Sequence, residues 1–264
     1  MFNEGEIFKE LTYKNDNLVK EKIYLDTLHT KERHFSNNSL TKESLYKGNI
    51  LIKDDIYKNG KLIKTKKFLI PNSGFEIYNK LPYSTGIGDE CIFAWSNPND
   101  GTPDYFHYDS SNPFTQVPKN QFGLQQAHSG NAYAGLFSEN NWKEYLQTKL
   151  ISPLVKDMEY KINFFLCRGE IFTNDTINEI GIFFTENPFR QAGAKKLNLT
   201  PQIIFDDKET YINAHTWIPM SAIYKAKGNE NYITIGFVND NYKITYYYID
   251  DISIEKLVPM HRDL

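Results

Sequence analysis

Between residues 95 and 142 the chain concentrates side chains suited to holding a polyhydroxylated ligand. Trp95, Tyr105, Phe106, Tyr108, Phe122 and Trp142 supply apolar planes on which a sugar ring can stack, while Asp104, His128 and Asn131 can hydrogen-bond hydroxyls. Tyr105, Tyr108, Trp142, Asp104, His128 and Asn131 are therefore the candidate ligand-binding residues. Plainer roles compete with these. Trp95 and Tyr133 have strand-like neighbours suited to a core, Asp104 ends a Gly101-Thr-Pro-Asp turn whose amides it can bind, and His128 can be a satisfied structural histidine.

Catalytic chemistry finds little purchase. Glycoside hydrolysis needs two carboxylates at a defined separation across a cleft, and only Asp104 and Glu144 stand among the loop aromatics. Ser129 precedes a glycine but sits in no G-x-S-x-G elbow. Gly86-Ile-Gly88 lacks the third glycine and the following helix of a phosphate loop. Cys91 and Cys167 lie in no C-x-x-C pair, have no histidine at ligand spacing, and permit at most one disulfide; two small buried side chains is the simpler reading. No enzymatic activity is expected.

What must position these residues is extended backbone. An aromatic recurs every eleven residues at Phe2, Tyr13, Tyr24, Phe35, Tyr46, Tyr57 and Phe68, with lysine at Lys9, Lys20, Lys31, Lys42, Lys53 and Lys64. Glu10, Glu21, Glu32, Glu43 and Asp54 follow the lysines, and Ile7, Leu18, His29, Leu40, Leu51 and Leu62 precede them by two. Turn formers close the units at Asn15-Asp16-Asn17, Asn37-Asn38, Gly48-Asn49 and Asn59-Gly60. Each unit reads as one strand and one tight turn, so residues 1–70 are expected to form a single-layer antiparallel meander. Two-residue turns place each leucine opposite a neighbouring aromatic, but also acid opposite acid, which is unfavourable. A bulge, a longer turn, a bound cation or inward-bending lysines would relieve this.

Pro71-Asn-Ser-Gly74 ends the array, and residues 71–257 carry about ten short strand-like runs separated by Pro, Gly, Asn and Asp, the pattern of a β-sandwich. The runs are Gly74–Tyr78, Cys91–Trp95, Ala132–Phe137, Glu144–Leu150, Tyr160–Cys167, Glu179–Thr185, Gln202–Phe205, Thr216–Tyr224, Tyr232–Val238 and Tyr246–Glu255. Residues 258–264 read as a tail. The expected fold class is all-β. A net charge of −3 with interspersed signs gives no global case for nucleic acid, and no apolar run is long enough to span a membrane. The Met1 end has no leader-like pattern, so an extracellular or cell-surface location would require a leader removed from this chain.

Several segments are similar to a known family. Asn72-Ser-Gly-Phe-Glu76, Trp95, Gly101-Thr-Pro-Asp-Tyr-Phe106, Ala127-His-Ser-Gly-Asn-Ala-Tyr133, Trp142-Lys-Glu-Tyr-Leu146 and Tyr248-Ile-Asp-Asp-Ile-Ser253 resemble, in order, a jelly-roll family of surface and secreted Bacteroidetes proteins. That family is related in fold to carbohydrate-binding modules of the galactose-binding type, and the resemblance covers residues 72–256. The array looks like MORN-type β-hairpin repeats, although their usual glycine is largely missing. The resemblance implies a jelly roll whose first and last strands lie side by side, where Glu76 and Asp251 would hold a structural Ca²⁺ with backbone carbonyls. In the alternative, those carboxylates bind loop backbone and Asp250 faces water. The function implied is non-catalytic surface binding or adhesion, with a glycan or another surface ligand such as a protein as partner. A structural component of a larger secretion, motility or phage assembly is the other possibility.

Overall fold

Turn chemistry sets the first sheet. In the computed structural model, which describes residues 8–171, 179–206, 216–239 and 244–257, the chain separates into two compact units at Pro71/Asn72. Phe2 and Ile7 of the repeat, and the tail at 258–264, fall outside the described residues. Strands β1 (Phe8–Lys14), β2 (Asn17–Tyr24), β3 (His29–Ser36), β4 (Ser39–Lys47), β5 (Ile50–Lys58) and β6 (Lys61–Lys67) pair in sequence order as one antiparallel sheet. Both central residues of three turns have positive φ, at Asn15/Asp16 (50°, 60°), Asn37/Asn38 (49°, 59°) and Asn59/Gly60 (52°, 73°). This is the requirement that selects Asn, Asp and Gly there.

The expected leucine–aromatic pairs form at Tyr13–Leu18, Phe35–Leu40, Tyr46–Leu51 and Tyr57–Leu62, and beside each the register shifts. The shifts set Arg33 opposite Glu43 and Glu43 opposite Asp55, while β2 and β3, joined by the longer Leu25–Leu28 connection, pair without a shift and set Glu21 opposite Arg33. Cations then bend in over the acids. Lys9 reaches Glu21 at 3.0 Å, Lys31 reaches Glu43 at 3.0 Å, Lys53 reaches Asp55 at 2.6 Å, and Arg33 bridges Glu43 (2.8 Å) and Glu21 (3.2 Å). Three of the anticipated remedies, bulges, one longer turn and lysines, therefore act together.

The second unit is a jelly-roll β-sandwich. Its strands, in chain order, are β7 (Trp95–Ser96), β8 (Asp104–His107), β9 (Lys119–Asn120), β10 (Gly123–Leu124), β11 (Ala132–Glu139), β12 (Trp142–Lys143), β13 (Tyr145–Lys149), β14 (Glu159–Arg168), β15 (Ile180–Thr185), β16 (Ile203–Phe205), β17 (Ile218–Lys225), β18 (Tyr232–Phe237) and β19 (Thr245–Lys256). One sheet has the order β12-β11-β19-β14-β17 with β8 also on β11; the other is β16-β15-β18-β13-β7. Residues 245–250 of β19 are all buried, so both faces of that sheet are covered. Tyr247 stacks on Phe237 of the opposite sheet at 5.7 Å. Tyr246 and Tyr248 pack on the other face with Phe106, Val117, Tyr133 and Cys167.

Two expected strands are largely absent. Tyr78 makes only an isolated bridge with Ile92, and Gly88–Cys91 is a single helical turn (α1). The cause is local: Phe75 has φ 60°, and the Asn72 side chain binds the backbone of Ile77 and Phe93, offering those groups an alternative to ladder bonds. Cys91 and Cys167 are buried as thiols, with Cys167 Sγ donating to Gln125 Oε1 at 3.2 Å.

Candidate functional site

Alternation along β11 places Tyr133, Gly135, Phe137 and Glu139 on the outer face of the first sandwich sheet, and the turn at Asn140–Asn141 returns Trp142 opposite Glu139. There a cleft of about 470 Å³ opens. Phe122, Phe137 and Trp142 supply its apolar surface, Asp104, Glu139 and Glu144 its acids, and Thr85, Gly86 and Thr102 its rim. Trp142 is 38% exposed.

Two buried carboxylates fix this geometry. Glu144 Oε1 accepts from Trp142 Nε1 (2.9 Å), Thr102 N (3.2 Å) and Thr102 Oγ1 (3.3 Å), and Oε2 accepts from Phe137 N (2.7 Å). Asp104 accepts from Gly86 N and from the Tyr246 hydroxyl, each at 2.5 Å. Gly135 is required for the second bond, because a Cβ there would lie 1.9 Å from the Tyr246 hydroxyl oxygen. Burial raises the pKa of Glu144, the nearby Asp104 charge adds to the rise, and the donors from Trp142, Phe137 and Thr102 oppose it. Burial likewise raises Asp104 against the bonds from Tyr246 and Gly86. Every carboxyl oxygen of the pair already accepts a protein hydrogen bond, so their visible work is to tie the 85–86 and 101–104 segments and the indole to the sheet.

Of the residues expected to bind ligand, the structure gathers Trp142 and Asp104 in this cleft. Tyr105 is a correction: alternation on β8 turns it to the opposite face, where it is fully buried and its hydroxyl donates to Phe75 O at 2.9 Å. Tyr108 is exposed just past β8, its backbone N bonded to Asn131 O. His128 stacks on Phe165 at 3.4 Å, and its Nδ1 bonds Asp251 Oδ2 at 2.6 Å. Neither Tyr108, His128 nor Asn131 lines the cleft. Glu139, Glu144, Phe137 and the Thr85-Gly86 rim escaped sequence reading as binding groups. The alternation of Phe137 and Glu139 was the available signal, but only β12 folding back shows which face is open.

Glu76 and Asp251 meet elsewhere, around the 128–132 loop. Glu76 Oε1 accepts from the backbone N of Asn131 (2.9 Å) and Ala132 (3.0 Å), and Asp251 Oδ1 accepts from Ser129 Oγ at 2.9 Å. Asp250 is fully buried rather than facing water, and its Oδ2 accepts from His128 N (3.0 Å) and Ser129 N (3.3 Å). Burial pushes its pKa up to about 8, with the Asp251 charge contributing and three backbone donors opposing. A Cβ on Gly74 would lie 3.0 Å from Asp251 Oδ1, 3.7 Å from Asp250 Oδ1 and 3.8 Å from Glu76 Cγ, so three acids border one point. No group of three His, Cys, Asp or Glu side chains placed to hold a metal ion occurs among the described residues.

The second unit is thus a jelly-roll sandwich with an aromatic and acidic cleft on one sheet. No protein-family profile matches the sequence, and no curated protein matches it. Solved structures do resemble its fold. The K3 cleaved adhesin domain of Lys-gingipain from Porphyromonas gingivalis is 14% identical, covering 70% of this chain and 96% of that one at a TM-score of 0.39. TmCBM61, solved in complex with β-1,4-galactotriose, is 10% identical over 72% of this chain and 99% of its own, with a TM-score of 0.37. The CBM22-1–GH10 modules of the Clostridium thermocellum xylanase 10B are 15% identical, covering 73% of this chain and 28% of that one, with a TM-score of 0.39. Among the described residues no helix is long and apolar enough to cross a membrane.

Proposed function

We propose that this chain is a non-catalytic surface-binding or adhesion protein that holds a glycan in the Trp142 cleft, working outside the cell or at its surface, with the meander as stalk or docking plate. The supporting observation is the half-exposed indole, locked by Glu144 at the edge of a cleft whose inner surface mixes aromatic rings with hydrogen-bond acceptors. Such a surface stacks on the C–H face of a sugar while its polar groups fix the hydroxyls. A glycan array followed by calorimetry tests this. Trp142→Ala is expected to weaken binding about thirtyfold, the effect of removing about 2 kcal/mol of aromatic contact. An array silent for the parent protein, or a signal that survives the substitution, would remove the reading. A stoichiometric protein partner recovered with a silent array would favour an assembly role.

A structural calcium between Glu76 and Asp251 is the second part of this proposal. Glu76 is raised by burial and by the Asp251 charge against its two backbone bonds, and Asp250 by burial and the same charge. A hard cation drawing these acids together would relieve that repulsion. Adding Ca²⁺ to chelator-treated protein should raise the melting temperature of the sandwich; an unchanged melt would argue that hydrogen bonds alone close the loop.

A further inference from the structure

The third repeat unit breaks the pattern of the array, and the break opens a second cleft. Where neighbouring units use two-residue turns, Leu25–Leu28 forms a four-residue connection between β2 and β3, held by Asp26 Oδ1 accepting from Leu28 N and His29 N at 2.7 Å each. The backbone N of Gly48 bonds Leu28 O at 2.7 Å and closes one end. Register then sets Tyr24 opposite Thr30 and Thr30 opposite Tyr46, a small residue flanked by two tyrosines on one face of the sheet. The resulting cleft is about 510 Å³, with Lys22 and Glu32 as the next pair along.

Tyr24 is held in place by its hydroxyl bond to Glu10 Oε1 (2.8 Å), by the Phe8 ring at 5.3 Å and by Lys22 Nζ at 5.0 Å over its face. Strand spacing sets the two tyrosine backbones about 9.6 Å apart. The span over Thr30 is therefore about one six-membered ring wide. The rim carries both charge signs, from Lys22, Glu32 and Asp26, along with the Thr27 and Thr30 hydroxyls. Mixed charge with many donors and acceptors suits a neutral polyol better than an ion.

We propose that the Tyr24–Thr30–Tyr46 cleft binds a single neutral hexopyranose, independently of the sandwich cleft. The test is saturation-transfer NMR on the full chain with D-glucose, D-galactose, D-mannose and N-acetyl-D-glucosamine, each at about 10 mM to detect millimolar affinity. At least one sugar should receive saturation. Measured in a Trp142→Ala background, which removes the indole of the sandwich cleft, Thr30→Phe, which fills the slot with a strand-compatible ring, should abolish the remaining signal, and Tyr46→Leu should weaken it about tenfold. In that background, silence from all four sugars overturns the proposal, as does a signal that persists in both meander variants. If Thr30→Phe disturbs the sheet, the Tyr46→Leu result decides.

Discussion

Replacing Glu144 by alanine is expected to destabilise the sandwich by about 3 kcal/mol, because it takes a buried acceptor away from partly buried donors on three separate segments at about 1 kcal/mol each. Trp142 Nε1, Thr102 N and Phe137 N all donate to this one carboxyl. For a unit of this size the melting temperature should fall by roughly 10 °C. Glu144→Gln should lose about half as much: its amide oxygen can still serve Trp142 and Thr102, but its NH₂ group then faces the Phe137 N–H. Because the indole loses its anchor, the glycan binding proposed for the Trp142 cleft should weaken in Glu144→Ala even at temperatures where the fold persists. A variant melting within about 2 °C of the parent would mean that this carboxyl is not the joint described.

Acidification is expected to drive the two units apart in stability. In the meander, burial raises Glu21, Glu43 and Asp55, but hydrogen bonds from Lys9 and Arg33, from Arg33 and Lys31, and from Lys53 and Thr65 outweigh it and leave all three lowered. A lowered carboxyl contributes stability that is present above its unfolded pKa, about 4, and is lost as pH falls through the folded value. Glu144, Asp104 and Asp250 are raised, so their contribution has the opposite sign: fullest below the unfolded pKa and lost as pH rises through the folded one, about 8 for Asp250. Glu90, Asp100 and Glu230, held low by their hydrogen bonds, and His107, held low by burial, oppose the trend in the sandwich but are shifted less. Calorimetry from about pH 8 down to about pH 3 should therefore show two transitions, with the sandwich gaining on the way to about pH 4 and the meander losing below it, and their separation changing on the order of 10 °C. Two transitions moving together, or a sandwich that weakens on acidification, would contradict this.

Much of the architecture can be read from the chain because its causes are local. The eleven-residue aromatic period, the Asn and Gly turns and the leucine–aromatic pairing are set within one or two units, and the six-stranded sheet follows from them. The same holds for the long sandwich strands, whose apolar and aromatic runs between turn residues mark β11, β14, β18 and β19. Strand content near residues 74–95 was misread because the Asn72 side chain and a left-handed Phe75 override propensity there.

The site was only half legible. Trp142 and Asp104 could be singled out by residue type, but which face each side chain takes depends on a register with period two, and a one-residue difference sends Tyr105 inward while Asp104 reaches the cleft. Glu144 looked like an isolated acid until β12 folded back over β11 and carried it to Phe137 N and Thr102 N. Sequence by itself thus determined the extended backbone and where it turns, since those depend on neighbours a few residues apart. Tertiary structure alone decided which acids are buried together and which rings stay open, because both are fixed by contacts between segments distant along the chain, such as Asp104 with Tyr246.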